Sequence, residues 1–194
     1  MDWDKRFRDR DTPWQRPGLN PGFAAWFEGP RAVTISGLDV LIPGFGASPE
    51  PLEFARRGAC VTGIDIAPSA VAFQRQALAD AGLAAEFALA GIGEWRPSRP
   101  VDLIYEQTCL CAIDPADRVA YEDFAHAALK PGGRLFALFM QNTLRPGGPP
   151  FHCDLAEMRK LFAPERWTWP VEQPVKSDHP NGMHELGQVL TRRG

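Results

Sequence analysis

The feature that most constrains this chain is a strand that runs directly into a glycine turn at residues 39–48. An apolar run at 40–42 is followed by Gly44 and Gly46, which stand two residues apart. Ser48 then has the residue type of a helix N-cap, and a proline comes directly after it. A strand, a tight turn and a helix N-terminus in this order let the backbone lie close to a nucleotide-like ligand. The sequence therefore predicts a ligand site at this turn.

A carboxylate ends the next predicted strand. That strand covers residues 60–65, and its last residue, Asp65, lies about twenty residues beyond the turn. At this offset in doubly wound folds, an acid meets the two hydroxyls of a ribose. We therefore expect Asp65 to bind the ribose of a cofactor.

Strand and helix patterns alternate from residue 39 onward. The predicted strands cover 39–42, 60–65, 85–89, 101–106, 134–140, 167–175 and 185–191. The predicted helices among them cover 48–57 and 68–81, with further helices from 114 and from 154. Alternation of this kind favours a mostly parallel sheet with helices on both faces. Only a loop separates the last two strands, which predicts an antiparallel hairpin at one edge of the sheet.

Composition indicates an ordinary globular protein. The 194 residues, 44% hydrophobic and 23% charged, suit one domain over 1–194 whose core is stable without disulfide bonds. A formal net charge of −3 gives no electrostatic reason to expect a nucleic acid or a membrane surface as partner. No apolar run approaches the roughly 18–20 residues that span a bilayer, and the charged start lacks a secretory core. We expect a cytoplasmic protein, monomeric or homodimeric.

The cysteines indicate neither a disulfide framework nor a metal centre. Cys60, Cys109, Cys111 and Cys153 are few and scattered for a chain of this length. Cys109 and Cys111 are two apart on an extended segment, so their side chains would point to opposite sides. The four-ligand spacing of structural zinc sites is absent. We expect reduced thiols and no bound metal.

The residues after the turn narrow the choice of ligand. A dinucleotide fingerprint has a third glycine three residues after the second, where this chain has Pro49. Proline removes an N–H from the helix start and obstructs close packing of the helix on the strand. No Gly-Lys-Ser/Thr follows, which excludes a P-loop. A ligand with a ribose and no pyrophosphate fits best, and S-adenosylmethionine is the leading cofactor of that kind.

Residues 1–30 are rich in aromatic side chains and interrupted by prolines. Trp3 and Phe7 lie one helical turn apart, and Trp14 follows a Thr-Pro pair. Asn20, followed by proline, predicts the start of a second helix. Two interpretations are open: the rings pack on the core, or they form a lid that folds over a ligand.

An ordered set of motifs resembles the class I methyltransferases and, more narrowly, the thiopurine S-methyltransferase family with its thiol and halide methyltransferase relatives. The segments that carry the resemblance are Val-Leu-Ile-Pro-Gly-Phe-Gly at 40–46, Gly-Ile-Asp-Ile at 63–66, Leu-Lys-Pro-Gly-Gly at 129–133, Thr-Pro-Trp at 12–14, Leu-Cys-Ala-Ile-Asp-Pro at 110–115, Asp-Arg at 117–118 with Tyr121, and Gly-Pro-Pro-Phe at 148–151. The resemblance implies a Rossmann-like doubly wound sheet of seven strands, the last one antiparallel. It also implies methyl transfer from S-adenosylmethionine, with S-adenosylhomocysteine as product.

The resemblance further implies roles for particular residues. The cofactor would be bound by four groups of residues. These are Trp3, Phe7 and Trp14 in an aromatic lid, Gly44 and Gly46 in the glycine turn, the ribose acid Asp65 with Ile66 after it, and the pair Gly91 and Ile92 beside the adenine. Glu106 and Gln107 match the segment nearest the methyl group, and Glu106 would also contact the cofactor. Arg118 matches an arginine that faces the active site. Many relatives have an acid at the position of Gly91, so here the adenine amino group would meet the backbone or Glu94.

The expected acceptor is a small soft nucleophile, such as a thiol, a thiopurine-like sulfur, a halide or a selenol. In-line displacement needs alignment and a dry site, and a soft nucleophile hardly needs a base. The predicted catalytic residues are Arg118, Gln107 and Glu106. The residues predicted to contact the acceptor are Trp14, Arg118, Phe151 and His152.

Other interpretations stay open at this stage. The same fold and cofactor would serve N- or O-methylation if His152 or Glu106 acted as a base. A non-catalytic protein that binds S-adenosylmethionine or a nucleotide is a third interpretation, supported by Gly91. Arg118 would alternatively form an ion pair with acids on its own helix surface. The loop at 177–184 either shapes the acceptor pocket or is simply solvated.

Overall fold

A computed structural model describes residues 1–29, 32–179 and 182–194 and shows a mixed α/β architecture. Residue 30 of the aromatic segment and residues 180–181 of the loop at 177–184 lie outside the described residues. The helices are α1 Trp3–Arg8, α2 Pro21–Phe27, α3 Glu50–Arg56, α4 Pro68–Asp80, α5 Arg118–Ala128 and α6 Leu155–Leu161, with 3-10 turns at Leu110–Ala112 and Pro115–Asp117.

The helices surround one eight-stranded sheet. Its strands are β1 Asp39–Pro43, β2 Cys60–Asp65, β3 Glu86–Leu89, β4 Val101–Gln107, β5 Leu129–Gln141, β6 Trp167–Thr168, β7 Val175–Asp178 and β8 His184–Arg192. The strand order is β3-β2-β1-β4-β5-β8-β6, and β7 also pairs with β8. β1 to β5 pair in parallel, whereas β8 is antiparallel to β5, β6 and β7. The predicted fold class, a mostly parallel Rossmann-like sheet with an antiparallel last strand, is confirmed.

The number of strands differs from the prediction at 167–175, where one strand was expected and two short ones form. β6 pairs with the end of β8 at Thr191 and Arg192, and β7 pairs with its start. Pro170 and Pro174 lie between the two. Proline has no N–H to donate to a ladder, so the segment leaves the sheet and returns further along β8. The sheet therefore has eight strands.

Side chains cap α2 and α6 in their first turns, whereas α3 has no such cap. The Asn20 side chain caps α2 by accepting from Gly22 N at 2.8 Å, and the Asp154 side chain caps α6. The prediction of Ser48 as the cap of α3 is wrong, because the helix begins at Glu50 with Pro49 in the cap position and no side-chain cap. The Ser48 N–H instead closes a turn to Phe45 O.

Two apolar clusters fill the two faces of the sheet. Adjacent residues of one strand enter opposite clusters, as Val40 and Leu41 do on β1 and Leu103 and Ile104 do on β4. The rings of α2 pack into the cluster that contains Val40. The core interpretation of the aromatic segment therefore holds for this helix.

Two large apolar residues of the helices lie at the surface. Phe73 of α4 is 50% exposed and Val119 of α5 is 61% exposed. The buried face of α4 carries Val71 and Gln74, so the face that packs on the sheet is rotated away from Phe73. On α5 the buried positions include Tyr121. The packing of each helix on the sheet therefore determines which of its faces is buried, and the apolar character of a residue does not determine this alone.

Candidate active site

A cavity of about 530 Å³ opens at the carboxyl ends of the parallel strands. Gly44 follows β1, Asp65 ends β2, and Thr108 and Cys109 follow β4, and all four residues line it. This edge of a doubly wound sheet is where ligands bind in such folds. The glycine turn and the ribose acid, which were inferred separately, therefore share one wall.

The glycine turn needs both of its glycines. Gly44 and Gly46 have φ values of +58° and +53°, in the left-handed region that side chains rarely adopt. A Cβ on Gly44 would lie 2.8 Å from the Sγ of Cys109, and one on Gly46 would lie 3.1 Å from the ring of Phe7. The backbone thus approaches both the wall after β4 and the aromatic lid. Gly46 itself is absent from the cavity lining.

Asp65 holds the turn and faces the cavity. Its Oδ2 accepts from Gly46 N and its Oδ1 from Ala67 N, each at 2.8 Å. Burial raises the pKa of the Asp65 carboxyl, which is only 7% exposed. A carboxylate has about four lone-pair positions, so each oxygen retains acceptor capacity for a hydroxyl.

Three aromatic rings from the N-terminal segment come together over the cavity. The ring of Trp14 lies 5.4 Å from that of Trp3 and 5.9 Å from that of Phe7, both edge-on. All three line the cavity. The carboxylate of Asp4 accepts from Ser69 N at 2.8 Å and so fastens α1 to the first turn of α4. The lid interpretation therefore describes α1 and Trp14, whereas the rings of α2 belong to the core.

Of the pair expected beside an adenine, Gly91 and Ile92, only Ile92 lines the cavity. Ile66 and Ile92 line it, and Ile66 is 55% exposed. Gly91 lies just behind them, outside the lining. A Cβ on Gly91 would lie 3.7 Å from the Oε2 of Glu94 and 3.8 Å from Cγ2 of Ile66. The Glu94 carboxylate thus lies in the space that a side chain at position 91 would use.

Glu106 lies behind the cavity wall and is 1% exposed. Its Oε1 accepts from the N–H groups of Cys109, at 3.0 Å, and Leu110, at 2.8 Å. Its Oε2 accepts from the hydroxyl of Tyr121 at 2.6 Å. Burial raises the pKa of Glu106 to about 7. Cys109 and Tyr121 line the cavity while Glu106 does not.

The residues that follow Glu106 form a strained turn. Thr108 has φ +60°, an outlier for a β-branched residue and a conformation that tends to occur at functional sites. Thr108 lines both the main cavity and a smaller one of about 30 Å³. Gln107 lines only the smaller cavity, and its Oε1 accepts from the hydroxyl of Tyr105 at 2.9 Å.

Arg118 is a buried cation that does not line the cavity. It is 6% exposed, and its Nη1 donates to His152 O at 3.0 Å. Within the described part of the chain, Nε and Nη2 have no hydrogen-bond partner and no carboxylate lies within ion-pair distance. The alternative of a surface ion pair is therefore wrong. Arg118, Phe151 and His152 are absent from the cavity lining, so Trp14 alone of the residues predicted to contact the acceptor lies in it.

The cavity also includes residues that sequence reasoning did not select. Several of these residues are apolar or carry sulfur, and they are Cys111, Ile113, Met140, Pro149, Pro150 and Met183. Charged side chains at the cavity are Arg6, Asp117 and Arg145. Arg6 could have been predicted at the site, because it precedes Phe7 on the lid helix. Its guanidinium lies 4.5 Å from the centre of the Trp14 ring. Met140 and Met183 could not have been predicted at the site, since apolar residues in strands and loops usually lie in the core.

The thiols beside the cavity are neutral. Burial raises the pKa of Cys109 and of Cys111 well above the usual range. Over residues 1–29, 32–179 and 182–194, no three His, Cys, Asp or Glu side chains come together as a metal site. In the same ranges, no helix combines the length and the apolar character needed to cross a bilayer.

Comparison with solved structures defines the fold. The chain superposes on an S-adenosylmethionine-dependent methyltransferase from Methanosarcina mazei with a TM-score of 0.70 and 20% identity, covering 91% of this chain and 98% of that one. A structure described for the conversion of a disulfide bond into a thioacetal group in echinomycin biosynthesis gives a TM-score of 0.78 and 20% identity, covering 100% and 93%. Sheet order and cavity position thus define a Rossmann-like fold of the methyltransferase type.

Sequence comparison then assigns the family. The family model of thiopurine S-methyltransferase matches residues 1–185. Thiocyanate methyltransferase 1 of Arabidopsis thaliana is 29% identical over 167 residues, which cover 84% of this chain and 71% of that protein. The chain belongs to the thiopurine S-methyltransferase family and is an S-adenosylmethionine-dependent methyltransferase. The predicted family and enzyme class are confirmed.

Proposed function

We propose that this enzyme methylates a small soft nucleophile, in the first place a thiol or a similar sulfur anion, by in-line displacement. The observation that carries the proposal is the composition of one cavity. Its lining combines a ribose acid, a glycine turn and an aromatic lid with apolar and sulfur-bearing side chains that include Cys111, Met140 and Met183. A sulfur-lined, largely apolar wall suits a polarisable acceptor better than a strongly hydrated one.

The residues present fit S-adenosylmethionine. Asp65 retains acceptor capacity toward the cavity, as a ribose requires, and the backbone of Gly44 lines the same cavity. Ile66 and Ile92 offer apolar surface for the adenine, with the Glu94 carboxylate beside Gly91 for its amino group. When bound, the cofactor supplies a methyl group made electrophilic by the adjacent sulfonium.

The lid contributes alignment and the exclusion of water. We assign Trp3, Phe7 and Trp14 to cover the cofactor, and Trp14 also to border the acceptor. Holding reactants in register supplies roughly 7–11 kcal/mol of a displacement barrier. An anion and a sulfonium neutralise each other as they react, so water that stabilises the separated charges slows the step. Aromatic rings beside a sulfonium add about 0.5–2 kcal/mol of cation–π attraction.

Arg118 would stabilise the negative charge of the acceptor through the wall. A buried guanidinium without a carboxylate partner costs free energy, and an anion in the cavity would offset that cost. Arg118 does not line the cavity but acts on Cys111, which does, so the proposed action is electrostatic. Phe151 and His152 would shape the same wall from behind, because the His152 carbonyl accepts from Arg118 and Phe151 N donates to Cys111 O at 2.7 Å.

Neither Glu106 nor His152, the two residues considered as a base, lines the cavity, which supports an acceptor that arrives already ionised. Glu106 has both oxygens engaged behind the wall, and His152 is exposed outside the lining. A thiol with a solution pKa near 8.5 is a few per cent ionised at neutral pH. The thiocyanate methyltransferase relative is named for an acceptor of this soft, anionic kind. N- or O-methylation would require a base that these positions do not supply.

The test is a mass-spectrometric screen for methylated products with S-adenosylmethionine as donor. We expect transfer to thiols, thiocyanate or selenols, and little to phenols or amines. Preferred methylation of phenols or amines would contradict the acceptor class. Failure to bind S-adenosylhomocysteine at about millimolar concentration in calorimetry would contradict the proposal as a whole.

One substitution tests the assigned cofactor site. Asp65→Asn removes the charge that strengthens hydrogen bonds to the ribose, which are worth about 1.5–3 kcal/mol when one partner is ionised. We expect the Kd for S-adenosylhomocysteine to rise by about 10- to 100-fold. Asp102→Asn, at a surface acid paired with Lys130 far from the cavity lining, should leave the Kd unchanged. Equal effects of the two substitutions would contradict the assignment.

A further inference from the structure

Glu106 is a buried acid with hydrogen bonds but no counter-ion. Two backbone N–H groups and one hydroxyl bind its oxygens, yet among residues 1–29, 32–179 and 182–194 no cation lies within ion-pair distance of it. The titratable groups that face it are Tyr105 on β4, Tyr121 on α5, Cys109 and Cys111 after β4, Cys153 after β5 and Glu185 on β8. The guanidinium of Arg118 acts on Cys111 and Cys153, as Glu106 does, but it forms no ion pair with the Glu106 carboxylate. Burial of an unpaired carboxylate is costly, which raises the question of what compensates it.

The carboxylate is separated from the cavity by a single layer of protein. Each of its oxygens bonds directly to a residue that lines the cavity, since Oε1 accepts from Cys109 N and Oε2 from the Tyr121 hydroxyl. Cys109 in turn lies against Gly44 at the turn. The layer consists of neutral groups, the Cys109 backbone and the Tyr121 phenol, so no charge within it cancels the field of the carboxylate, which reaches the adjoining part of the cavity.

We propose that Glu106 is the counter-charge of the sulfonium and makes the enzyme bind S-adenosylmethionine more tightly than S-adenosylhomocysteine, without touching either ligand. The inference rests on the proposed function, because it requires the cofactor to lie along Asp65 and the glycine turn. The donor carries a positive sulfur and the product a neutral thioether. A fixed negative charge behind the wall therefore favours the donor and loses its partner when the product forms, which assists product release.

Binding of the donor should change the protonation of Glu106. Glu106 titrates near neutral pH, with a pKa of about 7, so a neighbouring cation that favours its ionised form displaces a proton. The neutral product exerts no such effect. Binding of the donor, but not of the product, should release a proton from Glu106.

Calorimetric titration measures this release. Each ligand is titrated near pH 7 in two buffers of different ionisation enthalpy, into wild type and into Glu106→Gln. In wild type, the donor should release up to about half a proton more than the product does. In Glu106→Gln, which preserves the shape of the side chain, that excess should disappear. The amino group of each ligand titrates alike in both proteins, so the difference between proteins isolates Glu106.

Glu122→Gln is the matched control, because Glu122 is also a buried acid but pairs with Arg166 and Trp167. It should retain the excess release. If Glu106→Gln retains it too, or if wild type releases equal numbers of protons with both ligands, the inference is overturned while the proposed function stands. If neither ligand binds wild type, the proposed function fails as well.

The pH dependence of wild type and of Tyr121→Phe provides a second test if Glu106→Gln does not fold. The preference of wild type for donor over product should rise by roughly three- to tenfold between pH 6 and pH 8.5, as Glu106 ionises. Tyr121→Phe removes a donor that stabilises the ionised form, so the midpoint of this rise should move to higher pH. A preference that is independent of pH in both proteins, or a midpoint that does not move, contradicts the inference.

Discussion

At the scale of single residues, the site depends on backbone geometry as much as on side-chain chemistry. Gly44 allows the chain after β1 to pack against Cys109. Thr108, the residue before Cys109, has a strained backbone conformation. Asp65 connects the two strands by binding Gly46 N. Each of these residues positions main-chain atoms at the cavity, so a small side chain added there should disturb the ligand site.

Gly44→Ala should lower both stability and cofactor affinity. A left-handed conformation costs a residue with a Cβ about 1–3 kcal/mol, and the added atom would also overlap Cys109. Urea denaturation and calorimetry with S-adenosylhomocysteine measure the two effects. Gly18→Ala, where a Cβ would meet nothing within 4 Å, is the control and should change neither. A Gly44→Ala protein with unchanged stability would show that the turn relaxes freely.

Glu106 should make the folded state less stable as pH rises. Its pKa is about 7 when folded and close to the ordinary 4.5 when unfolded. Between these values the folded state binds more protons than the unfolded state, so the free energy of unfolding falls with increasing pH. The loss amounts to about 3 kcal/mol at most. Urea denaturation of wild type and Glu106→Gln between pH 5 and pH 8 tests the sign: the variant should lack this part of the slope, and parallel profiles would contradict it.

At the scale of elements, short helices and loops carry the site while the sheet carries the fold. α1 contributes two lid rings, and its attachment to α4 runs through one carboxylate, Asp4, at the backbone of Ser69. No side chain caps α4 from its own N-cap residue. The lid helix therefore supplies a capping bond to the helix that follows the ribose acid, which couples lid position to the cofactor site.

Asp4→Ala should loosen the lid. Loss of the bond to Ser69 N removes an anion from the start of α4, so the lid should open more often and S-adenosylhomocysteine should dissociate severalfold faster. Stopped-flow dissociation, followed by tryptophan fluorescence of Trp3 and Trp14, measures the rate. Asp80→Ala, at the opposite end of α4, should leave it unchanged. An unchanged rate in Asp4→Ala would mean that ring packing alone holds the lid.

Much of the element pattern was predictable from local sequence. Asn20 and Asp154 have cap side chains that satisfy backbone donors within the same turn, so their helices begin where expected. The split of 167–175 into β6 and β7 was not anticipated, although Pro170 and Pro174 signalled it through their missing N–H groups. Phe73 is exposed because the sheet selects which face of α4 is buried, and that selection is not local.

At the scale of the whole molecule, a buried polar network joins the two ends of the chain. Arg16 pairs with Glu185 at 2.9 Å, with side chains 7% and 0% exposed. Asn20 donates to the same carboxylate and accepts from Ser177, and its N–H donates to Glu50 at 2.8 Å. The segment that bears the lid is thereby fastened to β7, β8 and α3.

Arg16→Met should be strongly destabilising. Removing one partner of a buried pair leaves the other charge uncompensated, at a cost of about 3–5 kcal/mol. Chemical denaturation at pH 7 measures the loss. Lys160→Met breaks an exposed pair, with side chains 74% and 63% exposed, and should cause no measurable change. Similar stabilities for the two variants would mean that Glu185 is protonated in the folded state.

The sequence by itself determined the features that depend on neighbours along the chain. These are the strand and glycine turn, the acid at the end of β2, the helix caps and the order of family motifs. Only the tertiary structure decided which side chains reach the cavity. Glu106 and Arg118 were expected at the chemistry, yet both lie behind its wall, whereas Met140 and Met183 line it. The physical reason is that burial and unpaired charge depend on residues distant in sequence, brought together when the sheet and its loops pack.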